Sequence, residues 1–164
     1  MNEFLKEQLE RTNYWLAFSE AKNGGLVAVN IAIIAVVTQL TVMPFFMEVI
    51  VCCLFLVSSI INILSFYSNL RNKIKKKQKD DIDQFNLLVY RDIAKFKDAD
   101  TYLTALKDNY GLEIKNNKKV LYYDFITEII INSEIAVYKY KMFNKAVFVD
   151  VFGILILIIA LVAA

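Results

Sequence analysis

Residues 24–47 read GGLVAVNIAIIAVVTQLTVMPFFM, twenty-four consecutive positions without an acidic or basic side chain. A helix needs about 20 mostly apolar residues to cross the hydrocarbon of a bilayer. Glu48 ends this run, and Val49–Leu70 supplies a second uncharged stretch of 22. Ala146–Ala164 supplies a third of 19, with Asp150 as its one charge. These three blocks raise the hydrophobic share to 57% and the mean hydropathy to +0.43, above the composition of an ordinary soluble domain. A soluble globular enzyme is thereby excluded.

The remaining composition also argues against catalysis. There is no His, so the common general base and the commonest metal ligand are missing. The four glycines, Gly24, Gly25, Gly111 and Gly153, form no phosphate-cradling loop. Cys52 and Cys53 are adjacent inside the second apolar block, which suits neither a disulfide nor a metal site. The expectation is no catalytic residue, no metal and no resident cofactor.

Charge placement sets an expected topology. Lys and Arg in short flanking segments mark the cytoplasmic side. Residues 1–23 carry Lys6, Arg11 and Lys22, and the hairpin around Pro44 carries none. The segment from Asn69 to Lys145 carries the rest, including Arg71, Lys73, Lys75, Lys76, Lys77 and Lys79. This predicts a membrane protein with a cytoplasmic N-terminus and an external C-terminus. The polar, acid-bearing residues 1–23 make the first block a retained span rather than a cleaved signal. The Lys run reads as a stop-transfer and headgroup contact. Asp80, Asp81 and Asp83 follow it at once, which argues against a nucleic acid polymer as partner.

The expected fold is therefore all-α, with three transmembrane helices. The first and third extend into the cytoplasm, and a small helical insertion lies between spans two and three. The divisions are 1–23, a cytoplasmic amphipathic helix; 24–43, span one; 44–48, an external hairpin; 49–70, span two; 71–145, a cytoplasmic helical region; and 146–164, span three. Leu5, Leu9, Thr12, Leu16, Ser19, Asn23, Leu26 and Asn30 form a heptad seam without a break at the span boundary. Tyr122, Ile126, Ile129, Ser133, Ala136, Tyr140 and Phe143 form another, continuing in phase to Val147, Asp150, Ile154 and Leu157. Such seams need partners, and a homo-oligomer is expected. The cluster Phe85–Phe96 fits either a short strand or a helical turn. Asp98 or Asp100 suits the N-cap of a helix over Tyr102–Asn109, with Gly111 at its end. This small insertion must pack on the two long helices, because it cannot form a core alone.

Two constellations stand out. Ser58, Asn62, Ser65 and Asn69 share one face of span two, with Asn30 in span one and Asp150 in span three. Counting inward from Lys22, Arg71 and Lys145 places Asn62 and Ser65 beside Asp150, with Lys22 above. The set reads either as interhelical hydrogen-bonding glue or as the lining of a water-accessible seam or pore. The second constellation is aromatic and basic: Tyr90, Arg91, Tyr122, Tyr123, Tyr138, Lys139, Tyr140 and Lys141. It fits interfacial anchoring, and it also fits base stacking with phosphate contact.

Four segments, in order, resemble a known family. They are Ala17-Phe18-Ser19-Glu20-Ala21-Lys22 with its acidic-x-Lys motif, Asn86-Leu87-Leu88-Val89-Tyr90-Arg91-Asp92-Ile93-Ala94-Lys95, Asp100-Thr101-Tyr102-Leu103, and Ile135-Ala136-Val137-Tyr138-Lys139-Tyr140-Lys141. With three spans, the chain resembles the transmembrane effectors of the Pycsar anti-phage system. The resemblance implies a bacterial inner-membrane protein that senses cyclic CMP or cyclic UMP made by a companion cyclase. Binding would lead to membrane disruption and to death or arrest of the infected cell, an abortive infection. For such an anionic ligand, the candidate contacts are Lys22, Asn23, Arg91 and Lys139, with Tyr90 or Tyr138 as stacking face. The alternative is a non-sensing membrane scaffold or accessory subunit of a larger complex.

Overall fold

Helix α1 runs from Asn2 to Val37 as one uninterrupted helix, through Gly24 and Gly25. The structure, a computed structural model, describes residues 1–67, 85–112 and 119–163. The Lys run at 71–79, the acids Asp80, Asp81 and Asp83, Asn69, and residues 115–118 of the polar loop lie outside the described residues. After α1 come α2 (Phe45–Phe66), the short α3 (Tyr90–Ile93), α4 (Ala99–Tyr110) and the 44-residue α5 (Lys119–Val162). There is no strand among the described residues. Three helices, α1, α2 and α5, are long and apolar enough to cross a membrane.

The break after span one comes earlier than residues 44–48. α1 stops at Val37, where Thr38 Oγ1 turns back to donate to the Ala35 carbonyl at 3.1 Å. The chain turns through residues 38–44, and Pro44 is the N-cap of α2 in extended conformation. Proline suits this boundary because its nitrogen has no hydrogen to lose.

The chain forms two compact units, and both long helices contribute to each. The first holds described residues 1–18, 85–112 and 119–138. Its core joins Leu5 of α1, Leu87, Ile93 and Phe96 of the insertion, Tyr102, Leu103 and Leu106 of α4, and Tyr122, Ile126 and Ile129 of α5. The insertion thus uses the long helices as its hydrophobic floor, as its size demands. Phe85–Phe96 is neither a strand nor a regular helix over most of its length. Residues 86–89 turn irregularly into the single turn of α3. Their carbonyls are served from a distance: Gln8 Nε2 donates to Leu88 O at 3.0 Å, and the buried Tyr102 hydroxyl donates to Leu87 O at 2.6 Å. Asn86 Oδ1 also accepts from the Leu88 amide at 3.0 Å, which shapes the turn.

Asp98, not Asp100, caps α4: its Oδ1 accepts from the Thr101 amide at 2.9 Å. Asp100 instead accepts the hydroxyl of Tyr123 on α5. Gly111 ends α4 with φ 61°, in the left-handed region where a side chain is strained.

The second unit holds residues 19–67 and 139–163 among those described. It is built from the later part of α1, all of α2 and the later part of α5. Val37, Met43, Val51, Phe55 and Ala160 form its apolar core. Large apolar side chains such as Phe148, Phe152 and Ile159 point outward and are exposed, as lipid-facing residues are. The close side of α5 is small: Ala146, Gly153 and Ala160 are buried at seven-residue spacing. A Cβ on Gly153 would sit 3.3 Å from the Phe55 ring.

The α1 seam follows its heptads, with Leu5, Thr12, Ser19, Asn23 and Asn30 buried. The α5 seam holds through Tyr122, Ile126, Ile129, Ser133 and Ala136 and then slips by one position at Tyr140, Val147 and Ile154, while Asp150 stays buried in phase. Lys139, Ala146 and Gly153 turn inward, whereas Tyr140 and Val147 are half-buried and Ile154 is 41% exposed. The slip falls where α5 passes from one unit to the other and meets different neighbours. There the small residues permit a closer approach than Val147 or Ile154 would.

The cap yields a test. The Thr101 amide, the larger influence, holds the Asp98 carboxyl below the usual carboxylate range. Its contribution to α4 is therefore complete above the unfolded value of about 4. It fades as pH falls through the lower folded value. Asp98→Ala is expected to cost about 1 kcal/mol near neutral pH. Hydrogen exchange at the first α4 amides is the measurement, and the difference from wild type should shrink in acid.

Candidate functional site

Polar residues recur along the interior of the second unit, where apolar ones would be expected. Asn23, Asn30, Ser58, Asn62, Ser65, Lys139 and Asp150 are all buried there. They come from three helices whose stretches within this unit are otherwise mostly apolar. Buried polar groups in hydrocarbon must find partners within the protein.

At one end of this seam sits Lys139, only 3% exposed. Its ammonium is 3.2 Å from Glu20 Oε1 of α1 and donates to Ser65 O of α2 at 3.3 Å. It also lies 4.7 Å from the centre of the Phe66 ring. α2 makes its Ser65 carbonyl available because the helix stops one residue later. Asn23 adds a second tie: its Nδ2 donates to Ser19 O at 2.7 Å and to Lys139 O at 3.4 Å. Lys22 lies over the Phe143 ring at 4.3 Å and the Tyr140 ring at 5.5 Å. The acidic-x-Lys segment of α1 and the Lys-Tyr segment of α5 therefore close on each other. One contact is an ion pair and the other is a cation–π contact.

Deeper along the bundle the helices are joined through Ser58. Asn30 Nδ2 donates to Ser58 Oγ at 3.0 Å, and Ser58 Oγ donates to Ala146 O at 3.2 Å. One short chain of hydrogen bonds thus links α1, α2 and α5. Asn62 Nδ2 donates to Ser58 O at 3.1 Å, and Ser65 Oγ donates to Asn62 O at 2.6 Å, both within α2. The set is not fully satisfied. Oδ1 of Asn23, Asn30 and Asn62, and both carboxylate oxygens of Asp150, are buried without a hydrogen-bond donor.

Asp150 lies beside Ser58 and Asn30 rather than beside Asn62, Ser65 or Lys22. Counting from Lys145 and Arg71 misjudged the level. The bundle is tied at Lys139, Glu20 and Ser65, and α2 ends at Phe66 before Arg71 is reached. The six ligand candidates divide between the units: Tyr90, Arg91 and Tyr138 in the first, Lys22, Asn23 and Lys139 in the second. In the first, Tyr90 packs on Trp15 with ring centres 5.5 Å apart, and Arg91 is exposed. Trp15 belongs to a cluster with Tyr14 and Phe18, both exposed, whose rings stack at 6.2 Å. Tyr138 is 40% exposed.

Two participants were not among the candidate site residues. Glu20 is the counter-ion of Lys139, and its signal was the acidic-x-Lys motif. Trp15 is the platform for Tyr90, and nothing in the spacing marks it. No group of three or more potential metal ligands exists among the described residues.

The ion pair can be tested by a double-mutant cycle. Removing the partner of a buried charge costs about 3–5 kcal/mol when both ions are buried. The Glu20 side chain is 48% exposed, so solvent screening reduces the expected cost of Glu20→Ala to about 1–2 kcal/mol. Lys139→Met should cost less, and the double variant less than the sum. Stability in detergent measures this, and strict additivity would mean that the pair contributes nothing.

Comparison with known proteins bears on the whole chain. A family model described as the Pycsar effector protein domain matches residues 4–164. No curated protein and no solved structure matches.

Proposed function

The chain belongs to the Pycsar effector family of anti-phage transmembrane effectors, and from that premise we propose that it couples cyclic-nucleotide sensing to rearrangement of its three-helix bundle. The proposed ligand is cyclic CMP or cyclic UMP, supplied by a companion cyclase. The proposed outcome is loss of the inner-membrane barrier and death or arrest of the infected cell.

The observation that carries this reading is the buried polar seam. A passive anchor needs no Lys–Glu pair and no row of amides among apolar helices. In this bundle they hold a closed arrangement whose separation would present polar groups to water and ions. An oligomer that opens along such seams would breach the bilayer. Recognition is assigned to the first unit, where Tyr90 offers a ring face and Arg91 a guanidinium. A pyrimidine can stack on the ring, and Arg suits a cyclic phosphate. Lys139 is buried and already engaged, so its assigned part is to hold the closed bundle, with Lys22 and Asn23 beside it.

Binding of a cyclic-nucleotide panel to the full chain in detergent tests the sensing step. Arg91→Ala should weaken binding roughly ten- to a hundredfold, the worth of a charge-assisted contact of about 1.5–3 kcal/mol. Ligand-dependent dye release from liposomes tests the output. No binding by any cyclic nucleotide, or wild-type binding by Arg91→Ala, rejects this assignment.

Orientation is a separate proposal, supported by the Lys and Arg asymmetry. In a background with Cys52→Ala and Cys53→Ala, a cysteine introduced by Ala164→Cys should be labelled from outside the cell. Labelling only from the cytoplasm rejects the topology.

A further inference from the structure

We propose that Asp150, with Asn30 and Ser58 beside it, forms a binding site inside the span bundle for one small cation, either a proton or Na+. The argument starts from charge balance. Asp150 is 5% exposed, and neither of its oxygens receives a hydrogen bond. Ser58 and Asn30 lie next to it. Ser58 has one hydroxyl proton, and it is directed to Ala146 O. Asn30 Nδ2 commits one of its two N–H groups to Ser58 Oγ, and its Oδ1 has no donor. One turn along α2, Asn62 Oδ1 has none either. Three buried oxygens without a donor, both of Asp150 and Oδ1 of Asn30, thus lie at one level of the bundle, with Asn62 Oδ1 about a turn away along α2.

No charged side chain among the described residues balances the carboxylate. On α5, Lys145 is five residues away but about 140° round the helix at 100° per residue, and it is exposed. Lys139 lies eleven residues away, about 16 Å along the axis, and is held by Glu20. On α1 the nearest charges are Glu20 and Lys22, and Lys22 lies against Phe143 and Tyr140. On α2 the nearest is Glu48, itself acidic and ten residues from Ser58. A bare carboxylate in such surroundings is too costly to persist. A small cation meets both needs at once, because it neutralises Asp150 and uses the oxygens that lack donors. Hard cations prefer such oxygen sets, and a proton on the carboxyl would turn it into a donor for a neighbouring oxygen. The site depends on the three helices packing in a membrane, and not on which nucleotide the first unit recognises.

The test is thermal stability of the full chain in nanodiscs, measured for wild type and Asp150→Asn. Asparagine keeps the shape and removes the charge. In one arm Na+ replaces choline up to about 150 mM at about pH 9; in the other, pH falls to about 5 without Na+. A bound ion that prefers the folded state should raise the wild-type midpoint by roughly 5 °C, and Asp150→Asn should lose that response. A response to Na+ identifies a sodium site, and a response to acid alone identifies a proton site. If Asp150→Asn does not assemble, Asn30→Ala serves instead. It retains the carboxylate and should weaken the apparent affinity about tenfold. Wild-type stability indifferent to both ions, or a response identical in the variant tested, overturns the proposal.

Discussion

A cation buried among apolar helices obliges its neighbours to come to it. Lys139 can remain 3% exposed because α1 brings Glu20, and α2 brings the carbonyl of Ser65 and the ring of Phe66. Each contribution comes from a defined position on its helix. A shift of any helix by one turn would part the ammonium from a partner and leave a charge uncompensated. The register of the second unit thus rests on electrostatics at this end. Deeper in, the Asn30–Ser58–Ala146 chain repeats the constraint with neutral groups.

The first unit is held differently. Its core is apolar and aromatic, with Phe96 and Tyr102 meeting edge to face at 5.0 Å. Buried hydrogen bonds there serve an irregular turn, and the bonds between helices, Asn132 to Asn13 and Tyr123 to Asp100, lie at the exposed surface. The same two long helices therefore supply an apolar face to one unit and, to the other, a face that sets a polar seam beside an apolar core. That division would suit the function proposed above, in which recognition needs a stable platform and the response an interface able to change partners. Polar contacts can be exchanged for water or ions at little net cost, whereas an apolar core in a soluble setting cannot.

Much of this was legible from local pattern. Three apolar runs of spanning length predict three long helices, and the α1 heptads place Thr12, Ser19, Asn23 and Asn30 on its buried face. Ser58, Asn62 and Ser65 at 4,3 spacing do share one face of α2. The misreadings have one common origin: they concern relations between distant segments. Periodicity along α5 cannot reveal that its neighbours change near residue 139, so the slip from Tyr140, Val147 and Ile154 to Lys139, Ala146 and Gly153 was invisible. Charge anchors cannot fix relative depth when a helix ends before its anchor, as α2 does. The turn at 86–89 owes its shape to Gln8 and Tyr102, far away in sequence, and so its cluster of apolar residues was ambiguous.

The close side of α5 carries a lesson for anyone who maps this protein by substitution. In a soluble core the informative residues are large, and truncating them leaves cavities. Here the order is reversed. Ala146, Gly153 and Ala160 lie inward, while Phe148, Phe152 and Ile159 face out. An alanine scan would pass over the inward face almost in silence, because it has so little side chain to remove. Scanning with bulk instead of truncation exposes it, since the face works through what it leaves out, and Gly153 has only the width of a ring contact to spare.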